Sequence, residues 1–143
     1  MLRYETFTRA QGYDVVVYEG LMRILIVSTD YDTRCIFATA LRRRGYEVRE
    51  LADPDRVVDA AGDCDVVITD YPTRTDAGAT VTELLRRDPS TRHVRILNAT
   101  THVFEHEIDE AGAAGVDETV VLPAEPDAVI ASVQHLLGET NRC

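Results

Sequence analysis

Asp65-Val66-Val67-Ile68-Thr69-Asp70 is the stretch on which the reading of the fold turns. Four β-favouring residues lie between two aspartates, too few for a helix and rich in β-branched side chains. Such a run reads as a strand buried on both faces, the kind found in the middle of a parallel sheet. In open parallel sheets, ligands and chemistry gather just beyond the carboxyl ends of the strands. Asp70 stands at that end and is therefore the first candidate functional residue.

Upstream, Ile24–Val27 is a second apolar run, ending in Ser28-Thr29-Asp30. Asp32 can N-cap the helix that follows, with Phe37, Ala40 and Leu41 on one face. Arg42-Arg43-Arg44-Gly45 closes that helix, cations at the negative pole of its dipole and Gly at the C′ position; the capping role is favoured over a nucleic-acid patch. Tyr46–Leu51 alternates as a strand, and Asp53-Pro54 reads as N-cap and N1 of a short helix bearing Val57, Val58 and Ala61.

Downstream, Gly78 precedes a helix with Val81, Leu84 and Leu85 inward, stopped by Asp88-Pro89. Arg95–Ala99 is a strand leading into Thr100-Thr101. Phe104, Ile108 and Ala111 form the apolar stripe of a fourth helix, closed by Gly112 or Gly115. Thr119–Leu122 is a fifth strand running into Pro123. Glu125-Pro126-Asp127 opens a last helix with Val129, Val133, Leu136 and Leu137 on one side and Gly138 at its end. Five βα units over 22–138 predict an α/β, doubly wound, flavodoxin-like three-layer sandwich with a central five-stranded parallel sheet. Residues 1–21 read as an N-terminal extension in which Tyr13–Tyr18 has strand character, either a remnant without a role or a functional arm. A functional arm would be an added edge strand or a segment exchanged between subunits. Residues 139–143 read as a tail.

The totals narrow the possibilities. A chain of 143 residues makes one domain that buries roughly 70% of its unfolded surface. With 15 basic and 25 acidic residues the net charge is −10, which argues against nucleic acid, because phosphate binding needs a basic face. No run approaches the roughly 18 apolar residues of a membrane span, and the first residues lack the apolar core of a signal peptide. Cys35, Cys64 and Cys143 are odd in number and show no CxxC spacing, which fits a reduced, cytoplasmic protein.

Five βα units with an aspartate ending the third strand resemble the receiver domains of bacterial two-component response regulators. The resemblance spans residues 22–138 and rests on Ile24–Val27, Asp65–Asp70, Gly112–Asp117 and Leu122-Pro123. Thr100 lies 30 residues beyond Asp70 and Leu122 a further 22 beyond Thr100. These intervals match the family's phosphoacceptor, switch hydroxyl and lysine without a gap, and Gly78 matches its glycine eight residues after the acceptor. The resemblance implies that a histidine kinase would hand a phosphoryl group to Asp70 and that Thr100 would order the phosphorylated state. It also exposes losses. The two acidic Mg²⁺-holding positions are Ser28 and Thr29, the lysine before the cis-proline is Leu122, the aromatic of the fifth strand is Thr119, and Arg74 replaces a proline.

Phosphoryl transfer depends on charge neutralisation and positioning more than on covalent help from the protein. One unit charge about 4 Å away is worth about 4 kcal/mol at an effective dielectric of about 20. Losing a divalent ion and a lysine therefore removes several kcal/mol of transition-state stabilisation, a rate loss of many powers of ten. Neutral hydroxyls are poor ligands for a hard cation that prefers carboxylates; Asp30 or Asp32 would have to swing in to rescue Mg²⁺. The expectation is an atypical, or pseudo-, receiver that is not an enzyme and has no cofactor. It would bind a protein partner, a histidine kinase or another signalling protein, through the face of the fourth helix, fifth strand and fifth helix (102–112, 118–122 and 126–137), with a homodimer as a further possibility. Against that stands a slow phosphoacceptor at Asp70, or a leftover carboxylate satisfied by backbone N–H groups or by Thr100.

Two remote readings compete. His102-Val103-Phe104-Glu105-His106 spells the H-x-x-E-H of inverted zinc peptidases, and on one helix His102 and His106 would share a face. That reading lacks a third ligand, and His93 and His135 are isolated. A flavodoxin-like nucleotide or flavin binder needs a glycine-rich phosphate loop after the first strand, where Ser28–Asp32 is acidic instead.

Overall fold

Short apolar runs become strands and the longer periodic stretches between them become helices, in the order expected from the sequence. The computed structural model describes residues 5–10, 13–18, 21–101 and 104–138. β1 (Glu5–Ala10) and β2 (Tyr13–Tyr18) come first, followed by β3 (Arg23–Val27), α1 (Tyr31–Arg43) and β4 (Glu47–Leu51). A 3₁₀ turn over Pro54–Arg56 leads into α2 (Val57–Ala61). Then come β5 (Val66–Thr69), α3 (Val81–Arg87), β6 (Arg95–Thr100), α4 (Glu105–Ala114), β7 (Glu118–Val121) and α5 (Pro126–Leu136).

β3 to β7 form one parallel sheet in the order β4-β3-β5-β6-β7, the flavodoxin-like winding. β5 is buried along its whole length, as its uninterrupted β-branched sequence predicts. Alternation along the central strands divides the core in two. Ile24, Ile26, Val66, Ile68, Leu97 and Ala99 pack with Phe37 and Leu41 of α1 and Val129, Ile130 and Val133 of α5. Leu25, Val27, Val67 and Ile96 pack with Val57, Val81, Leu85 and Ala111 of the other helical layer. Each such side chain contributes about 1.5–3 kcal/mol when fully buried.

Several local expectations are corrected. Asp30, not Asp32, caps α1, accepting a hydrogen bond from the Thr33 N–H at 3.1 Å, while Asp32 falls in the first turn. Asp53 caps the turn at Pro54 as expected. The α4 stripe is thinner than its period suggests: Ala111 alone is buried among its residues, and Phe104 is 64% exposed. Phe104 has extended backbone as the N-cap, so it lies off the helical face that the 3.6-residue spacing assigns to it. Gly115, not Gly112, closes α4: its φ of 120° is a left-handed value, and a Cβ there would sit 2.8 Å from the Arg86 side chain. The arginines after α1 are engaged locally. Arg42 donates to the Val48 carbonyl at 2.9 Å and Arg44 meets Asp127 at 3.6 Å.

The strand expected over 13–18 is present, with a partner in β1, where no period was legible. β1 and β2 pair antiparallel with each other, Glu5 opposite Tyr18 and Ala10 opposite Tyr13. They form a sheet of their own, so the expected edge strand is a separate hairpin instead. The tail 139–143 lies outside the described residues.

Candidate functional site at the carboxyl edge of the sheet

The strand order places the two chain segments that matter side by side. Val27 of β3 is in register with Thr69 of β5, so Ser28 and Asp70 leave adjacent strands at the same edge. On leaving β3 the chain turns back toward β4, whereas β5 leads on toward β6, so the crevice between β3 and β5 is the topological switch point. A cleft of about 240 Å³ opens there. Ser28, Thr29, Asp30, Asp70 and Leu122, all singled out from the sequence, line it together.

The carboxylates in the cleft differ in their engagement. Asp30 is committed to the helix: its Oδ2 accepts from both the backbone N–H and the hydroxyl of Thr33. The Thr33 hydroxyl is the main reason that its carboxyl is held below the ordinary range, with the Thr33 N–H next. Ser28 is also engaged, its Oγ accepting from the Asp30 N–H at 3.1 Å and its carbonyl accepting from Arg34 Nη1 at 2.5 Å. Asp70 is different. Its Oδ1 is buried and meets no hydrogen-bond donor among the described residues. Its backbone is nonetheless well held, because the Asp70 carbonyl accepts from the Thr73 N–H at 2.7 Å and from the Thr73 hydroxyl.

Asn98 holds the chain where it leaves β5 just after Asp70. Buried in β6, it accepts from the Tyr71 N–H through Oδ1 at 2.8 Å and donates from Nδ2 to Thr119 Oγ1 at 3.4 Å. Thr119 thus supports β5 through Asn98 and does not line the cleft. Leu122 precedes a cis-proline, and its N–H donates to the Thr100 carbonyl at 2.7 Å. Thr100 is buried at the end of β6 and lines a neighbouring cleft of about 100 Å³ with Tyr71, Asn98 and Ile108. Thr101, one residue on, lines the cleft of Asp70.

Sequence reasoning passed over Thr33, Thr73, Asn98 and Thr101. Thr33 and Thr73 stand three residues after Asp30 and Asp70, the spacing of local side-chain-to-backbone bonds. Asn98 interrupts an apolar run, and a buried amide must find partners. No signal distinguishes Thr101 from Thr100, because which of two adjacent residues faces a cleft is set by the end of the strand.

Of the histidine pattern, His106 stands in the first turn of α4, which begins at Glu105 after the extended Phe104, and His102 lies outside the described residues. Among the described residues, no three metal-binding side chains cluster. His93 is exposed, while His135 is not isolated: its Nδ1 is 3.0 Å from Glu118 Oε2. No helix of the described residues is long and apolar enough to cross a membrane.

Comparison with known proteins gives a consistent result. The family model described as the response regulator receiver domain matches residues 24–134. Chemotaxis protein CheY1 of Helicobacter pylori is 27% identical over 121 residues, 82% of this chain and 98% of that protein. Among solved structures, a response regulator from Desulfuromonas acetoxidans superposes with a TM-score of 0.76 at 17% identity, covering 82% of this chain and 97% of that one. The chemotaxis response regulator CheY4 of Vibrio cholerae gives a TM-score of 0.72 at 24% identity, covering 81% and 98%.

Proposed function

The chain belongs to the response regulator receiver domain family, and from that premise we propose that it serves two-component signalling as an atypical receiver. In this reading it binds a protein partner, and Mg²⁺-dependent phosphotransfer to Asp70 is impaired. One observation carries it: of the two carboxylates that line the cleft among the described residues, Asp30 is engaged as the cap of α1, which leaves Asp70. Ser28 and Thr29 offer neutral hydroxyls, and Leu122 supplies no charge where the family has lysine. This donor set does not fit Mg²⁺, which favours several carboxylate and water oxygens in octahedral array. No catalytic step is assigned to Asp70 or Thr100, which keep the acceptor and switch-hydroxyl positions.

The face of α4, β7 and α5 is the partner surface in this reading. Phe104 and Val121, 64% and 39% exposed, give that face apolar side chains open to a partner. A histidine kinase, another signalling protein or a second copy of the chain are the candidate partners, and the −10 net charge speaks against nucleic acid. The free cysteines Cys35 and Cys64 accord with a reducing, cytoplasmic setting. A nucleotide or flavin is disfavoured because the cleft, at about 240 Å³, is smaller than the roughly 300 Å³ at which ligand pockets begin, and its carboxylates repel phosphate.

Beryllofluoride with millimolar Mg²⁺, which mimics a phosphoryl group on a working receiver, tests the reading. Amide NMR spectra are expected to stay unchanged around Asp70 and Thr100. Saturable shifts there would establish the alternative, a slow phosphoacceptor at Asp70.

A further inference from the structure

The cleft at Asp70 is specific in what it lacks. Among the described residues its lining contains two carboxylates, Asp30 and Asp70, several hydroxyls and an apolar wall that includes Leu122, but no lysine, arginine or histidine. Arg34 is directed to the Ser28 carbonyl at 2.5 Å, with Glu50 at 3.9 Å and the Tyr31 ring centroid at 5.7 Å. A buried carboxylate oxygen without a donor forfeits its hydrogen bonds to water, and Asp70, half-buried as a residue, has such an atom in Oδ1 among the described residues. The cavity has room for the end of one side chain and too little for a drug-sized ligand.

We propose that the cleft receives a cationic side chain from the protein partner, an arginine guanidinium set against Asp70. A guanidinium donates a charge-assisted N–H bond to a carboxylate oxygen, and it is weakly enough hydrated to be buried. Neighbouring hydroxyls and carbonyls accept its remaining protons, and Leu122 covers the apolar stem as it enters. One available carboxylate matches a single positive charge, where a divalent ion would need more. This inference rests on the reading of the domain as a binding module and names the chemistry of what it binds.

Methylguanidinium chloride is the probe, titrated into the ¹⁵N-labelled full chain against sodium chloride, methylammonium chloride and magnesium chloride at equal ionic strength. The expected result is saturable amide shifts at Ser28, Asp70 and Thr101 with methylguanidinium, absent with sodium. In Asp70→Asn the affinity is expected to fall by about tenfold or more, the loss of one charge-assisted hydrogen bond. Should that variant fold poorly, Leu122→Lys provides an independent arm: an ammonium placed beside Asp70 within the chain should occupy the cleft and abolish the response. Equal shifts with sodium, or unaltered binding in either variant, would overturn the proposal. Methylammonium matching methylguanidinium would support a cationic side chain and make it lysine. A saturable response to magnesium chloride would overturn the binding-module reading itself, whereas silence to both magnesium and methylguanidinium would sink this inference alone.

Discussion

The two ends of the central strands handle charge in opposite ways. At the amino end, Arg23 meets Glu47 at 2.9 Å and Asp63 at 2.8 Å, and Arg49 grips both oxygens of Asp63 at 3.1 and 2.9 Å. The Arg23 N–H donates to Asp65 Oδ2 at 2.8 Å. These acids are matched by cations or by backbone donors, and the Arg49 guanidinium is the chief reason that the Asp63 carboxyl is held below its ordinary range. At the carboxyl end, among the described residues, no guanidinium or ammonium lines the cleft, and Asp70 Oδ1 meets no donor. The same strands support both ends, so the difference lies in the side chains at their tips. Matched charge is structural, whereas unmatched buried charge is a local defect of the kind that folds tolerate at binding sites.

The largest test of the contrast removes the support beneath the unmatched end. Asn98→Ala deprives the part-buried Tyr71 N–H of its acceptor and should cost about 2 kcal/mol, read from urea unfolding, with amide shifts concentrated at residues 70–73. A change smaller than about 0.5 kcal/mol, the scale of a neutral surface substitution, would show that the chain leaving β5 stands without its clamp.

Next, Asp70→Asn removes an uncompensated charge and should stabilise the chain by about 1–2 kcal/mol. A loss of stability would mean that Asp70 contributes to the fold as the amino-end acids do. Asp63→Ala should move stability the other way by about 1 kcal/mol, because the pairs it breaks are part-exposed and screened. Thermal unfolding should register that change as a drop of about 4 °C. An effect of the same sign in both variants would dissolve the contrast.

Smallest is the acid response. The Asp63 carboxyl is lowered in the folded chain relative to its ordinary value of 3.8. Its contribution is therefore complete above that value and is lost as pH falls through the lower folded one. Urea midpoints measured from about pH 5 down to about pH 2 should decline less steeply for Asp63→Asn than for the natural chain. Parallel declines would show that the Arg49–Asp63 pair does not couple stability to protons.

The legible parts of the fold were those in which neighbours along the chain determine the outcome. β5 could be read from Val66–Ile68, and the cap at Asp53-Pro54 from two residues. α4 is legible as a helix, but Phe104 drops out of its apolar stripe because it follows the helical period while its backbone is extended. β1 was invisible because its partner is another strand and not its own pattern. In the candidate site, Asp70 follows from the strand that it ends, and the positions of Ser28, Thr29 and Leu122 from the resemblance to receiver domains. The engagement of Asp30 by Thr33 and the bridge of Asn98 from Tyr71 to Thr119 follow from neither, since each depends on which atoms meet in space.

By itself, the order of residues determined the alternation of strands and helices, the parallel winding, and an aspartate at the carboxyl edge with neutral neighbours in place of acids and a lysine. The alternation, the winding and the aspartate follow from periodicity, β-branching and spacing, which act over a few residues or along one direction of the chain, whereas the missing acids and lysine follow from the resemblance to receiver domains. Tertiary structure alone decided that Asp30 is occupied by its helix, that Thr101 lines the cleft while Thr100 faces the next one, and that one oxygen of Asp70 is buried without a donor. Hydrogen-bond satisfaction belongs to the three-dimensional neighbourhood of an atom, and here that neighbourhood is assembled from β3, β5, β6 and the start of α1.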